Sequence, residues 1–382
     1  MLTKFYGHQK IFKDDINEVI KSLNYDFITN GKYLDLFEKK ISNKFNCKYA
    51  IVCNSGTSAL YLALRSLNLT KKDYVIIPSI NFLASANVIK LIESKIIFCD
   101  VDPTNGLVTP KILNEVILKA NKKNIFPKVF IPQFHAGQCE DQKEIFKIAK
   151  KNKILIVEDA CHALGSAYKN SAKEMIGSCK YANISTFSFH PVKNITSGEG
   201  GVVTTNDKNL YNKIKILVSH GIIKNKKIGF SYNIKIPSFN FRLSELNCAL
   251  GYSQLKKLTN FNNIKKKLYQ YYVDKLSGLS KIKIIKKTKY CDPHWHLFII
   301  LINFKNLSER SKLMKYLSKN NIGSQIHYKP VFKQELFKND LKFNINGSEE
   351  YYKKCLSIPF HTNLTRKDID FIVEKLRIYL NT

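Results

Sequence analysis

The first 250 residues alternate between continuous apolar runs and segments whose apolar residues recur at helical spacing. Continuous apolar runs predict strands buried on both faces, and a spacing of three to four residues predicts helices that pack on a sheet. The predicted strands are 49–54, 73–79, 95–102, 128–134, 153–160, 184–189 and 201–206, and the predicted helices are 55–67, 82–93 and 141–151. Strands separated by helices predict an α/β fold with a mostly parallel central sheet covered by helices.

The pattern changes after residue 250. A long amphipathic helix is predicted to run on from 242–258 to Leu276 as a connector, because apolar residues recur at helical spacing. Further strands are predicted at 296–304 and 324–328, and helices at 309–320 and 366–380. We therefore predict a large domain over 1–250 and a smaller α+β domain over 251–382, with the N-terminal segment free to pack on the smaller domain.

The formal net charge of +32 raises the question of a nucleic-acid partner. Arginine favours bidentate contacts with bases and phosphates, yet only five residues of the chain are Arg, and the lysines are spread along its whole length. This distribution is typical of a solvated basic surface and predicts no nucleic-acid partner. It remains compatible with a substrate that carries phosphate.

No run of about 18 apolar residues is present, so the sequence predicts no membrane insertion. The N-terminus MLTKFYGHQK lacks the apolar region of a signal peptide, and the nine cysteines include no CxxC pair. A cytoplasmic location is therefore predicted. His294 and His296 share one face of a strand, but a third metal ligand is missing from the pattern, so no metal site is expected.

Polar or reactive residues follow four of the predicted strands. They are the segment NSGTS (54–58), the pair Asn81-Phe82, the pair Glu158-Asp159 with Cys161 and His162 after it, and Lys193 in the loop TFSFHPVKNITSGEGG (186–201). Each has a plain structural explanation, since Ser and Thr cap helices, Phe fills cores and most lysines are solvated. Ligands bind beyond the carboxyl ends of parallel strands, however, so we expect these residues to lie close together.

Together, these residue types match the needs of pyridoxal 5′-phosphate. Backbone N–H groups at a helix start can bind its phosphate, and an aromatic side chain can stack on its ring. A buried carboxylate can keep the pyridine nitrogen protonated, and a lysine can bind the cofactor as a Schiff base. Gly and Pro residues around Lys193 allow the sharp bend that brings this loop close to the ring. By contrast, Cys161 is predicted to be an inert buried thiol.

The loop at 186–201 resembles the lysine loop of the DegT/StrS sugar aminotransferases, a branch of the fold-type-I pyridoxal-phosphate enzymes. Within this family, FSFHPVK (187–193) is most similar to the members that act in pseudaminic acid biosynthesis. The resemblance covers nearly the whole chain. It includes FITNGKYLDLFE (27–38), PSINFLASAN (78–87), VEDACHALGS (157–166), FNFRLSELNCALGYSQLKKL (239–258), QIHYKP (325–330) and LSIPFHTNLT (356–365).

The resemblance implies a role for each matching residue near the cofactor. Lys193 is expected to bind pyridoxal phosphate and to move protons, while Asp159 is expected to pair with the ring nitrogen. His162 is expected beside the ring, and Phe82 is expected to stack on it. The expected phosphate ligands are Gly56, Thr57, Ser188 and, from the neighbouring subunit of a homodimer with shared sites, Asn240.

On the substrate side, the resemblance places His327 and Tyr328 near the sugar. His220 or the lysines of KNKK (224–227) are expected near the nucleotide diphosphate, although a solvated lysine patch explains KNKK equally well. Arg242 fits either a carboxylate of the donor or a structural role. His135 departs from the pattern of the pseudaminic acid branch, so sugar specificity could differ if its ring faces the substrate.

The resemblance implies transfer of an amino group from L-glutamate to C4 of a UDP-4-keto-6-deoxy-N-acetylhexosamine, with pyridoxamine 5′-phosphate formed between the two half-reactions. The alternatives are another nucleotide keto-sugar, such as a 3-keto sugar or GDP-4-keto-6-deoxymannose, and a basic binding protein without activity. Related enzymes that dehydrate sugars have His in place of the lysine, so Lys193 argues against dehydration. A protein without activity would be expected to lack Lys193 or Asp159.

Overall fold

The computed structural model describes residues 4–169, 174–224 and 231–381. The lysines predicted to meet the nucleotide diphosphate fall at the edge of the second gap. Residues 225–227 and the side chain of Lys224 lie outside the described part of the chain. Within the described part, no helix combines the length and the apolar character needed to cross a membrane.

Helices occur along the whole chain. They are α1 (Lys13–Leu23), α2 (Lys32–Phe45), α3 (Gly56–Ser66), α4 (Leu83–Leu91), α5 (Pro110–Asn121), α6 (Gln142–Lys151), α7 (Lys208–Leu217), α8 (Glu245–Lys256), α9 (Leu258–Leu276), α10 (Leu307–Lys319), α11 (Asn346–Lys354) and α12 (Arg366–Leu380). Side-chain caps explain several of their starts. Thr365, for example, accepts the backbone N–H of Asp368 at the start of α12, and the carboxylate of Asp368 accepts the backbone N–H of Thr365, which completes a capping box.

The strands are short and mostly buried. They are β1 (Tyr49–Cys53), β2 (Tyr74–Pro78), β3 (Lys95–Cys99), β4 (Pro127–Phe130), β5 (Leu155–Asp159), β6 (Ala167–Tyr168), β7 (Ile184–Ser188), β8 (Gly201–Thr205), β9 (Ile222–Lys224), β10 (Tyr232–Ile234), β11 (Ile282–Ile284), β12 (Cys291–Asp292), β13 (Phe298–Ile302), β14 (Leu341–Lys342) and β15 (Cys355–Ile358).

Eight strands form the central sheet, in the order β1-β8-β7-β5-β4-β2-β3-β14. All neighbouring strands are parallel except β8, which is antiparallel to both β1 and β7. Successive residues of β2 pack on opposite faces: Ile76 joins the cluster that contains α5 and α6, whereas Val75 and Ile77 join the cluster that contains α3 and α4. The predicted α/β class, with a mostly parallel sheet covered on both faces, is confirmed.

The C-terminal third contains a three-stranded antiparallel sheet, β11-β13-β15, whose apolar side chains share one core cluster with those of α9 and α12. It is not wholly separate, because β14 pairs with β3 at the edge of the central sheet. At the other end of the chain, Lys4 bridges to Ile322, and the N–H of Phe360 donates to the carbonyl of Tyr6. The N-terminal segment therefore contacts the C-terminal part, while the division at residue 250 stays a prediction.

Two expected elements differ in the structure. The segment 324–328 is not a strand, because only Gln325 pairs, with Ser357, before His327 and Tyr328 turn their rings into a buried cluster. Packing of these two rings against their neighbours, rather than pairing in a sheet, positions this segment. The helix predicted to run from 242 to 276 is in fact two helices, α8 and α9, which meet at Lys257.

Candidate active site

Four parallel strands of the central sheet end at one edge, and each is followed by or ends in a polar residue. Asn81 follows β2, Gln133 follows β4, Asp159 ends β5 and Ser188 ends β7. All four side chains are at least nine-tenths buried. The strand order β7-β5-β4-β2 makes them neighbours at the carboxyl edge, where α/β sheets bind ligands.

The start of α3 lies against the end of β7. Ser55 caps the helix by accepting the N–H of Ser58, and Gly56 follows as the first helical residue. A Cβ on Gly56 would stand 2.7 Å from Cβ of Ser188, so only glycine permits this close approach. Thr57 is exposed at the same helix end. Free N–H groups, the helix dipole and three nearby hydroxyls make this helix end suitable for a phosphate.

Asp159 lies at the floor of the site. Its carboxylate accepts hydrogen bonds from Oγ of Ser85 on α4, at 3.1 Å, and from the backbone N–H of Cys161, at 3.3 Å. The preceding residue, Glu158, points to the opposite face, where its carboxylate accepts from Tyr168 and Ser185 at 2.5 Å each. Of the two adjacent acids, only Asp159 therefore faces the strand-end site.

Lys193 lies in the loop between β7 and β8, where its N–H donates to the carbonyl of His190 and closes a tight turn. Burial lowers the pKa of its ammonium, while the nearby carboxylate of Asp159 opposes that shift. Burial also raises the pKa of the Cys161 thiol well above its usual value, with Asp159 adding to the effect. The lysine thus has an increased fraction of free amine, whereas the thiol stays protonated.

Imidazole and phenol groups surround the lysine. Oη of Tyr328 and Nε2 of His162 are 3.0 Å apart and share a hydrogen bond, while the rings of His162 and His296 lie 4.4 Å apart between centroids. Burial lowers the pKa of both histidines well below the usual value, and the charge of Lys193 lowers each further. Both rings are therefore neutral near pH 7, and Nδ1 of His162 is buried without a partner among the described residues.

His327 and His135 are two further buried histidines, and both rings pack against Tyr328. Nδ1 of His327 is 2.7 Å from Oγ of Ser357, and burial lowers the pKa of His327 to about 3. His135 is fully buried, with its Nε2 2.7 Å from the hydroxyl of Tyr351. The His135 ring thus packs beneath the site, 5.9 Å from the ring of Tyr328, and does not present itself to an open substrate region.

Phe82 shows the opposite behaviour. It precedes α4 in the loop after β2, and its side chain is 54% exposed, with its ring centroid 6.0 Å from that of Tyr328. A large aromatic side chain that is half open beside buried polar groups is available to cover a planar ligand. The alternative of a core phenylalanine does not fit this exposure.

A family model described as the DegT/DnrJ/EryC1/StrS aminotransferase family matches residues 9–377. The chain belongs to this family. It is therefore an aminotransferase, and the resemblance seen in the sequence is confirmed.

Individual relatives of this family match over almost the full length. A Campylobacter jejuni protein named UDP-4-amino-4,6-dideoxy-N-acetyl-beta-L-altrosamine transaminase is 36% identical over 372 residues, which is 97% of this chain and 96% of the relative. Among solved structures, Helicobacter pylori PseC, an aminotransferase involved in the biosynthesis of pseudoaminic acid, has a TM-score of 0.91 at 28% identity, with 99% of both chains covered. The Streptococcus pneumoniae protein Spr1654, solved in a PLP form, has a TM-score of 0.89 at 27% identity and 99% coverage of both chains.

Three residues singled out in the sequence, Asn240, Arg242 and His220, lie around Ser219 and not in the group around Lys193. Asn240 is exposed, pairs with Ser219 and accepts the side-chain N–H of Asn54 on its carbonyl. Arg242 donates to Oγ of Ser219 at 2.6 Å, which supports its structural interpretation. His220 is exposed beside them. For Asn240 and His220, the roles expected from the family stay predictions.

The structure also adds residues that the sequence reasoning did not assign. Asn81 has both side-chain polar atoms buried without a partner, and Oε1 of Gln133 is likewise unpaired among the described residues. Ser85 holds Asp159, and His296 packs on His162. A polar residue just after each apolar strand was the available signal for Asn81 and Gln133; the sequence carries no comparable signal for Ser85 or His296.

Replacing Gly56 by Ala tests the cradle at the start of α3. Because the added methyl would overlap Ser188, we expect the affinity for pyridoxal phosphate to fall about tenfold or more. Fluorescence titration of the apoprotein with the cofactor measures this change. Gly278→Ala is the matched control, since nothing lies within 4 Å of its added Cβ. Equal affinities for the two variants would contradict a phosphate site at this helix end.

Proposed function

We propose that the chain transfers an amino group from L-glutamate to C4 of a UDP-linked 4-keto-6-deoxy-N-acetylhexosamine. The observation that carries the proposal is the half-buried Lys193 beside Asp159 at the carboxyl edge of the sheet, in a chain 36% identical to a transaminase named for such a 4-amino sugar. The basic surface is compatible with a nucleotide diphosphate.

The site has the groups that pyridoxal phosphate requires. The Gly56–Ser188 approach leaves room for phosphate oxygens at a helix start, Asp159 supplies a carboxylate for the ring nitrogen, and Phe82 offers an open aromatic face. Nδ1 of His162 and the amide of Asn81, which have no partner in the described part of the chain, are buried polar atoms that a polar ligand would satisfy. The residues present therefore fit this cofactor, in agreement with the PLP form of Spr1654.

When bound, the cofactor supplies an electron sink for negative charge at the amino-acid Cα. Lys193, with its pKa lowered by burial, would act there as the free amine that takes the proton from that carbon and delivers it to C4′ of the cofactor. The carboxylate of Asp159, held by Ser85, would face the ring nitrogen. Neutral His162, held by Tyr328, can donate or accept a hydrogen bond at the ring edge without adding a charge.

The substrate side follows from the same arrangement. Tyr328 keeps its proton, because burial raises the pKa of its phenol well above the usual value. Its hydroxyl can therefore bind a sugar oxygen while it remains paired with His162. His327, the residue before Tyr328, shares a hydrogen bond with Ser357, and this bond positions this part of the chain. We assign the sugar to the space bounded by Tyr328, Phe82 and Lys193.

The test follows the two half-reactions separately. L-Glutamate alone is expected to convert the visible absorption of bound pyridoxal phosphate into that of the pyridoxamine form, with one equivalent of 2-oxoglutarate. Addition of the UDP-4-keto sugar should then restore the first spectrum and yield the 4-amino sugar, identified by mass spectrometry. Restoration only by a 3-keto sugar or by GDP-4-keto-6-deoxymannose would contradict the proposed substrate but not the chemistry. No spectral change with any amino acid would contradict aminotransfer itself.

We further propose a homodimer in which Asn240 completes the partner's phosphate site. Asn240 is exposed, and its carbonyl accepts a hydrogen bond from the side chain of Asn54, two residues before Gly56 at the start of α3. Both observations support this assignment.

The variants Lys193→Ala and Asn240→Ala are each expected to have impaired activity. Dimers re-formed from an equal mixture should recover about a quarter of the wild-type activity, because half of them contain one intact site. The matched pair Lys193→Ala with Asp159→Asn should recover none, and a similar result for both mixtures would argue that Asn240 acts within its own subunit.

A further inference from the structure

A small cavity lies on the far side of the loop that carries Lys193. Its walls are the N-terminal segment 8–10, the loop 191–196, parts of α8 and α9, and the segment 360–362. The cavity has a volume of about 20 Å³, which is room for one water molecule or one small ion. Of the residues that line this cavity, only Lys193 also bounds the space assigned to the sugar.

Lys265 of α9 reaches this cavity with a charge that no acid balances. The residue is 4% exposed, and its Nζ donates to Oδ1 of Asn194 at 3.0 Å. That amide oxygen is neutral, and no Asp or Glu forms an ion pair with Lys265 in the described part of the chain. Burial lowers the pKa of Lys265 to about 7. A buried ammonium without a counter-charge is costly, so a nearby anion would be strongly favoured.

His361 provides a second donor. Its Nδ1 accepts the backbone N–H of Asn363, which places the proton of the neutral ring on Nε2. Nε2 is buried and has no partner of hydrogen-bonding geometry among the described residues, although the carbonyl of Phe5 is close. His8 and Lys10 also line the cavity, whereas no Asp or Glu within 4–169, 174–224 or 231–381 does. The electrostatic potential in the cavity is therefore positive.

We propose that this cavity binds one small inorganic anion of the size of chloride, held by Nζ of Lys265 and the Nε2–H of His361. The small volume suits a monatomic anion, and the donors and the missing acids among its described lining residues favour an anion over water. The assignment does not depend on the identity of the sugar substrate.

Occupancy of the cavity would stabilise the loop of Lys193. The anion keeps Lys265 protonated, and Lys265 holds Oδ1 of Asn194, the residue next to Lys193. The amide nitrogen of the same Asn194 donates to the carbonyls of Leu164 and His294. One side chain therefore ties the lysine loop to three other segments, and the anion supports one of these ties.

Thermal unfolding in chloride tests the proposal. At constant ionic strength, replacing sodium gluconate by sodium chloride is expected to raise the Tm of the wild-type holoenzyme by about 1–3 °C in a saturable manner. Lys265→Met should lose this dependence. Lys266→Met, which removes an exposed lysine paired with Asp292 on the same helix, should retain it. A chloride effect of equal size in Lys265→Met, or none in the wild type, would overturn the proposal.

A second measurement covers the case in which Lys265→Met does not fold. Wild-type crystals soaked in sodium bromide should show an anomalous peak within hydrogen-bonding distance of Nζ of Lys265. Absence of that peak, with bromide visible elsewhere on the surface, would show that the cavity holds water and would refute an anion site there.

Discussion

Lys193→Ala is expected to reduce the rate of transamination by about 10³-fold or more. Lys193 is the only lysine placed by the described structure beside Asp159 and His162, and burial lowers the pKa of its amine toward the range of a general base. Positioned proton transfer alone contributes roughly 10²–10⁴-fold, and the loss of covalent cofactor binding adds to it. Single-turnover kinetics with L-glutamate, followed at the visible absorption of the cofactor, measures the loss.

Two controls separate chemistry from folding in that experiment. Lys208→Ala, at the exposed start of α7, should behave as the wild type. Small primary amines added to Lys193→Ala should restore part of the rate, because they can move the proton in place of the missing side chain. Turnover of Lys193→Ala at the wild-type rate would refute the assigned role of this lysine.

Asp159→Asn is expected to have the second-largest effect, a loss of about 10²–10³-fold in kcat. The amide has the same shape and can still accept from Ser85, but it carries no charge to keep the ring nitrogen protonated. The electron sink would therefore weaken while the fold is preserved. Steady-state kinetics and the absorption spectrum of the bound cofactor, compared with the wild type, report both consequences.

The adjacent acid offers a matched control for this variant. Glu158 is fully buried, and burial raises its pKa to about 7, so its neutral form is already accessible. Its side chain bonds to Tyr168 and Ser185 on the other face of β5. Glu158→Gln should therefore keep kcat within a few-fold of the wild type. A large loss in Glu158→Gln together with a small loss in Asp159→Asn would show that the two roles are reversed.

Much of the site could be predicted because its signals are local. The apolar run that ends at Asp159, the Ser and Thr residues around Gly56 and the bend around Lys193 are each contained in a few consecutive residues. A residue's position relative to its own strand or helix follows from such short patterns. The segment 324–328 shows the limit of this reasoning, since its pattern predicts a strand and only Gln325 forms a bridge, with Ser357.

The sequence by itself thus determined the class of sheet, the family and the strand-end acid, phosphate and lysine positions. Only the tertiary structure decided which of these residues meet. His296 joins His162 because its N–H donates to the carbonyl of Ala136 more than a hundred residues away, and Lys265 meets Asn194 because α9 packs behind the lysine loop. The reason is physical: backbone periodicity is encoded locally, whereas contacts between distant segments depend on strand order and on how the helices pack.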